Sequence, residues 1–594
     1  MEDTDQTETT RQPTLSDSSS ETEASKPNWD NRISRYKVVE FFEEQKDSEL
    51  EQYIFIVRVR VDKVSKEPTT YVDIKSKFLC GIVYDIMKGA NVPLNLRENK
   101  PTVEQNLLYL FLSELVEAQR AVHVEEHGRH LAILVAHVEG AYASISKRLA
   151  PLLSIGEITY DLLWAIFKPG SFVYGTCSGT EKPRCVVFDT AQNEEYNGLE
   201  YFCLVTHYLD FDGKEFGLAT IRLRIPRFTG LRLIRSLPAF PLAYHPRKDN
   251  VRQSLLECGR KFYQLAGIHT RQYHGRAFFV ENGEIVKVNV NGRVVIDAAF
   301  FQSMNPNYPR PWIDVRDSYT LANNGARDTD SNLVRLGQCQ NENLKQSDVR
   351  LSNIKDDALL TSCPTVLGFS LNDKRFLEFA VANIGEVTWA SNPFKCLAIP
   401  AENKDLLTSL AMKQLGIVCS LPFDDVVRVV SGPPGVGKTL TAEALSEHLH
   451  RPLYSISAGE LIAEPGRLEA TLKLILKIAK HCGAILLLDE ADVFLERRSH
   501  FNDHHNRLVA VFLRALEYSE GILFLTTNRV TEFDDAILNR VHLKLRYDGL
   551  SREQRKHVWK YFISKANTHQ GPADITAAEL NSLETLDLNG REPD

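Results

Sequence analysis

Hydrophobic and polar positions alternate in different ways along this chain, and the changes divide it. Tyr53–Val61 begins apolar and then alternates, which predicts a strand, while Val103–Leu115 and Leu131–Leu149 have helical spacing. The apolar and aromatic face of Tyr160–Phe167 reads as core. From Gly170 to Leu242 the pattern turns to short alternating runs, Ser171–Gly175, Cys185–Asp189, Tyr201–Tyr208 and Ala219–Ile225, with turn residues between them. Phe278–Val280, Ile285–Val290 and Val294–Ile296 continue it, and the Asn-Gly pairs at 282–283 and 291–292 predict hairpin turns. Residues 315–358 are rich in Asn, Asp, Ser and Gln and poor in aromatics, as a long loop or linker is. Structure resumes over Phe376–Leu397, and Lys404–Leu415 has the look of a helix. Beyond it the strands change character. Val426–Val430, Ala484–Leu488 and Gly521–Leu525 are near-continuous apolar runs, which is how strands buried on both faces of a parallel sheet read.

A chain of 594 residues exceeds one hydrophobic core, so two or three domains are expected. Hydrophobic residues make up 43% and charged residues 25%, as in a globular protein, and no apolar run approaches the roughly eighteen residues of a membrane span. The net charge of −8 argues against a general nucleic-acid-binding surface, and Arg222-Leu-Arg224 reads as the wet face of a strand. Ten cysteines are scattered without a CxxC pair, which fits a reducing compartment. Met1–Lys26, rich in Ser, Thr, Asp and Glu, has the composition of a disordered tail and lacks the pattern of a targeting peptide. Cytoplasm or nucleus is therefore the expected location. The expected layout is a polar tail (1–28), an α+β region (29–314), the polar linker (315–358), a connector (359–415), an α/β P-loop core (416–548) and a small, truncated helical lid (549–594).

Gly432-Pro433-Pro434-Gly435-Val436-Gly437-Lys438-Thr439 fills every fixed position of the P-loop pattern, after a valine-rich strand and before the helix-forming run Leu440–Leu449. Gly432, Gly435 and Gly437 let backbone N–H groups turn around a phosphate chain at the positive end of that helix. Lys438 is then placed to reach the β- and γ-phosphates of ATP, and the Thr439 hydroxyl to bind Mg²⁺. The apolar run at 484–488 ends in Asp489 and Glu490. Asp489 is placed to hold Mg²⁺ opposite Thr439, and Glu490 to activate the attacking water as general base. The next strand ends in Thr526-Thr527-Asn528, where Asn528 could orient that water or sense the γ-phosphate. Two histidine groups carry less. His123-Val-Glu-Glu-His127 fits a zinc-binding pattern but is followed at once by Gly128 and reads as a solvated helix end; His500, His504 and His505 read as a surface loop.

These elements, in this order and spacing, resemble the AAA ATPases. GPPGVGKTLTAE (432–443), LLDEADVF (487–494), VFLRALEY (511–518) and GILFLTTNRV (521–530) are similar to large, mostly fungal AAA proteins, in which an uncharacterised N-terminal region precedes a single ATPase module. Weaker echoes, such as Phe167-Lys-Pro-Gly170 and Gly292–Asp297, extend upstream. The resemblance implies ATP and Mg²⁺ as cofactors, the P-loop through Leu440 as the nucleotide cradle, and Arg540 as a finger reaching the neighbouring subunit's nucleotide. It also implies a homo-oligomer, a hexameric ring, that remodels a protein client engaged through the N-terminal region. Three features depart from that pattern: a short segment between Phe423–Val426 and the P-loop, no pore aromatic over Gly459–Arg467, and a lid that stops soon after Leu588–Glu592. The rival expectation is an ATP-binding switch or scaffold with negligible turnover.

Overall fold

In the computed structural model the residues described are 53–61, 68–88, 101–314, 355–390, 393–414 (except 398), 426–461, 464–497, 503–517, 521–529, 533–565 and, with short gaps, 567–586, besides isolated strand pieces before residue 38. Nearly all of the tail and of the 315–358 linker thus lies outside them.

The N-terminal region has two parts. Strands Phe55–Val61, Pro68–Ile74 and Thr102–Glu104 pair antiparallel, and the amphipathic helices Lys77–Met87 and Glu125–Ile155 pack against them around Phe55, Val72, Leu79, Leu108 and Leu134. The predicted helix at 131–149 therefore lies inside a helix of 31 residues. His127, near its start, stacks on Phe78 with ring centroids 3.8 Å apart.

The second part holds two antiparallel sheets. One runs in the order Phe240–Pro241, Phe172–Thr176, Pro183–Tyr196, Leu199–Phe211, Phe216–Pro226, Ile313–Asp314. In the other, Glu284–Ile296, Thr365–Ser370, Arg375–Ala380 and His269–Glu281 pair in a closed ring, which leaves few free edges. Residues 365–380, expected to be connector, are thus integral strands of the N-terminal fold. Chain distance hid this, because their partners lie on the far side of the polar linker.

Asn282-Gly283 makes the expected hairpin turn, with φ of +53° and +84°. Asn291-Gly292 does not: both residues continue a 13-residue strand opposite His274 and Tyr273. A Cβ at Gly292 would lie 2.3 Å from the nitrogen of the exposed Asn372 side chain, which would have to turn aside.

A buried ion network ties the two sheets. Arg310 donates to both oxygens of Asp210 at 2.7 and 2.9 Å and to Glu378 at 3.0 Å, and Tyr308 and Thr365 each donate to Glu378 at 2.9 Å. Burial pushes the neighbouring Cys363 thiol up to about 12, so it carries little thiolate.

The C-terminal module is a five-stranded parallel sheet in the order Leu453–Ser457, Ile485–Asp489, Ile522–Thr527, Val426–Ser431, Leu543–Arg546. One face packs Val430, Leu487 and Phe524 with Ala444 and Leu445 of the P-loop helix Lys438–His448; the other packs Val429, Leu488 and Leu525 with helices Pro465–His481 and Asp503–Glu517. Val295, Phe300, Phe369 and Leu371 of the N-terminal region join this second core. One buried side chain breaks the apolar pattern. Arg428, in the middle of the P-loop strand, is fully buried and has no hydrogen-bond partner among the described residues; its guanidinium lies 5.4 Å from the Phe524 ring.

Candidate nucleotide site

The P-loop strand ends at Ser431, and the chain turns through the glycine-rich loop into the helix at Lys438. Gly432, at φ +152°, is fixed by its neighbour: a Cβ there would come within 2.4 Å of the Tyr547 carbonyl oxygen. Gly435 and Gly437 take left-handed φ of +77° and +98°. Val436 is buried, and Leu440 is half exposed on the following helix. The Lys438 ammonium is largely buried and donates to the Gly432 and Pro433 carbonyls at 2.8 and 2.7 Å and to Asn528 Oδ1 at 2.8 Å. Asn528 and Lys438, 90 positions apart, are therefore in direct contact because their strands are neighbours.

Thr439 Oγ1 donates to both oxygens of Asp489, at 3.0 and 3.2 Å. Two hard oxygen donors side by side at the mouth of a P-loop fit Mg²⁺, which takes carboxylate, hydroxyl and water oxygens. Glu490 follows with φ +56°, a left-handed conformation costly for a residue with a Cβ, which turns the chain sharply at the strand end. Arg540, after the helical turn Asp535–Leu538, donates to Ala536 O at 3.0 Å and pairs with Glu517 of its own chain. The structure thus brings Lys438, Thr439, Asp489 and Asn528 together, with Glu490 next in the chain. Arg540 is held instead by Glu517 and the Ala536 carbonyl.

Sequence reasoning missed the residues that brace this set. Thr526 Oγ1 donates to Asp489 and accepts the Glu490 N–H at 3.0 Å. Thr527 Oγ1 donates to Asp492, which also accepts the Asn528 N–H at 3.1 Å. The signal was the Thr-Thr pair closing an otherwise apolar strand. Also missed was Glu443, one turn beyond Thr439, whose carboxyl is raised by burial and then by the charges of Asp489 and Glu447.

Residues 429–548 match the family described as "ATPase family associated with various cellular activities (AAA)", and residues 148–246 match a domain of unknown function, DUF7025. Spastin of Xenopus tropicalis is 25% identical over 244 residues, 40% of this chain and 37% of that protein. Fidgetin-like protein 1 of Drosophila melanogaster is 29% identical over 231 residues, 37% of this chain and 41% of that protein. The chain thus spans about two fifths of the length of these relatives. A crystal structure of the FIGL-1 AAA domain in complex with ADP aligns at 20% identity and a TM-score of 0.28, covering 34% of this chain and 68% of that one. The C-terminal module is an AAA domain of the P-loop NTPase class. Among the described residues no helix is long and apolar enough to cross a membrane.

Proposed function

We propose that this chain binds and hydrolyses ATP with Mg²⁺ as a AAA-type ATPase. The observation that carries the reading is the pairing of Thr439 with Asp489 beside the Lys438–Asn528 contact, with Glu490 next in the chain. Lys438 and the backbone N–H groups of the P-loop from Gly432 through Leu440, the two prolines excepted, hold the phosphates. Thr439 and Asp489 would hold Mg²⁺, which supplies charge neutralisation on the phosphoryl oxygens. Glu490 takes the proton of the attacking water, and Asn528, already on Lys438, orients that water or registers the γ-phosphate. Arg540 of a neighbouring copy stabilises the negative charge that develops on the phosphoryl oxygens during transfer, so a homo-oligomer, a ring of six by analogy, is the active form. The N-terminal region engages a protein client, which the motor remodels. The test is phosphate release from Mg·ATP beside Lys438→Ala and Glu490→Gln. Lys438→Ala should lose nucleotide binding, and Glu490→Gln should bind ATP without turning it over.

A second reading, an ATP-binding switch with negligible turnover, draws support from Arg540, which is engaged by Glu517 of its own chain. Tight ATP binding without phosphate release at any protein concentration would favour it.

A further inference from the structure

We propose that Thr526 is a positioning residue for the reaction, holding Asp489 and the Glu490 backbone in one fixed arrangement; the role in turnover rests on the ATPase reading above. Thr526 is the fifth residue of the strand Ile522–Thr527, almost wholly buried, in a run otherwise apolar up to that point. Burying a hydroxyl in such a strand is unfavourable unless its hydrogen-bonding capacity is used. Here it is used in both directions. The O–H donates to Asp489 Oδ1, the oxygen accepts the Glu490 N–H at 3.0 Å, and the Thr526 carbonyl accepts the Ala491 N–H at 2.8 Å.

Two consequences follow. Asp489 has a second hydroxyl donor in Thr439, but Thr439 oxygen is the one assigned to Mg²⁺, so the Thr526 hydroxyl is the brace with no role at the metal. And Glu490 holds its left-handed φ of +56° while its own N–H and that of Ala491 are both tethered to Thr526. The direction in which the Glu490 carboxylate leaves the backbone depends on that φ. One side chain thereby sets the metal-holding carboxylate and the base relative to each other. Thr527 acts likewise one residue on, through Asp492, for Asn528.

The test compares Thr526→Val, which keeps the branched shape without the hydroxyl, with Thr526→Ser, which keeps the hydroxyl. Thr526→Val should lower kcat on the order of ten- to a hundredfold, as loss of an outer-shell brace does. KM for ATP should stay within about twofold, because Lys438 and the P-loop are untouched. Thr526→Ser should restore most of the rate. Without nucleotide, backbone amide exchange at Glu490, whose N–H loses its hydroxyl acceptor, should be faster in Thr526→Val than in wild type or Thr526→Ser. An unchanged kcat in Thr526→Val, or an equal loss in both variants, would overturn the proposal, as would unchanged exchange. A wild-type protein that binds ATP without turnover would sink the ATPase reading alone, and the exchange rates would then decide whether Thr526 fixes the turn.

Discussion

Arg293, on a strand of the N-terminal region, pairs at 2.5 Å with Glu447 in the last turn of the P-loop helix, ten residues beyond Gly437. The contact is one of a set. Glu447 also accepts the Ala390 N–H at 2.8 Å, and the Arg293 guanidinium lies 4.2 Å from the Trp389 ring. Asp297, which caps the helix Ala298–Met304, pairs with His481 at 2.6 Å, and Phe300 stacks on that imidazole at 3.8 Å. Lys374 pairs with Glu460. The helix that begins at the phosphate site is therefore fastened at its far end to the N-terminal fold.

Removing Glu447 leaves the Arg293 guanidinium and the Ala390 N–H without that acceptor. Glu447→Ala should destabilise the contact between the two regions by about 1–3 kcal/mol, as loss of a partly buried charged acceptor does. Faster amide exchange over residues 389–396 and 438–448, with the sheet at 172–226 unchanged, would show it. Unchanged exchange at 389–396 would contradict it.

The Arg310 network predicts a larger effect within the N-terminal region. Arg310 neutralises two buried carboxylates, Asp210 and Glu378, so Arg310→Met strands both. The expected loss is about 3–5 kcal/mol, read as a lower denaturant midpoint for the β region. A midpoint shift below about 1 kcal/mol would mean that the carboxylates find other partners.

Arg428 predicts the opposite sign. Burial, with no carboxylate beside it among the described residues, brings its guanidinium down to about 10. The folded state therefore holds this proton less tightly than the unfolded chain, so the penalty is full at neutral pH and shrinks as pH rises past about 10. Arg428→Leu should stabilise the AAA domain by about 2 kcal/mol or more at pH 7, and the gap to wild type should narrow in alkali. A variant less stable than wild type at pH 7 would indicate that Arg428 has an anionic partner outside the described residues.

Arg540 is paired with Glu517 in its own chain and must leave that partner to reach another subunit's nucleotide. The pair is partly exposed, so it is worth about 1 kcal/mol at most. Glu517→Gln should therefore lower the protein concentration needed for half-maximal ATPase by a few-fold at most, while Arg540→Ala should lose on the order of 10³-fold in rate. Specific activity independent of protein concentration, with Arg540→Ala near wild type, would remove Arg540 from the mechanism.

The AAA module was legible in the sequence because its candidate site sits at the ends of strands buried on both faces. Such strands are apolar runs, and Asp489 and Asn528 stand out as the polar residues that end them. The bracing role of Thr526 was not legible, since a threonine inside a strand also satisfies ordinary β-propensity. The N-terminal region was read piecemeal. Strands Pro183–Tyr196 and Leu199–Phe211 outrun their apolar centres, ending in a hairpin whose Tyr196 and Leu199 are exposed, so alternation marked only their buried stretches. Thr365–Ala380 was placed in a connector because its partners, around residues 277–296, lie across a long polar segment that periodicity cannot bridge. The Asn-Gly pair at 291–292 misled because both residues continue the paired strand Glu284–Ile296 and make no turn.

The most direct test of the account is phosphate release from Mg·ATP by the purified full chain across a protein concentration series, with Glu490→Gln alongside. The expected result is turnover whose specific rate rises with protein concentration and vanishes in Glu490→Gln while ATP binding persists. Absence of phosphate release at every concentration, or release undiminished in Glu490→Gln, would contradict it.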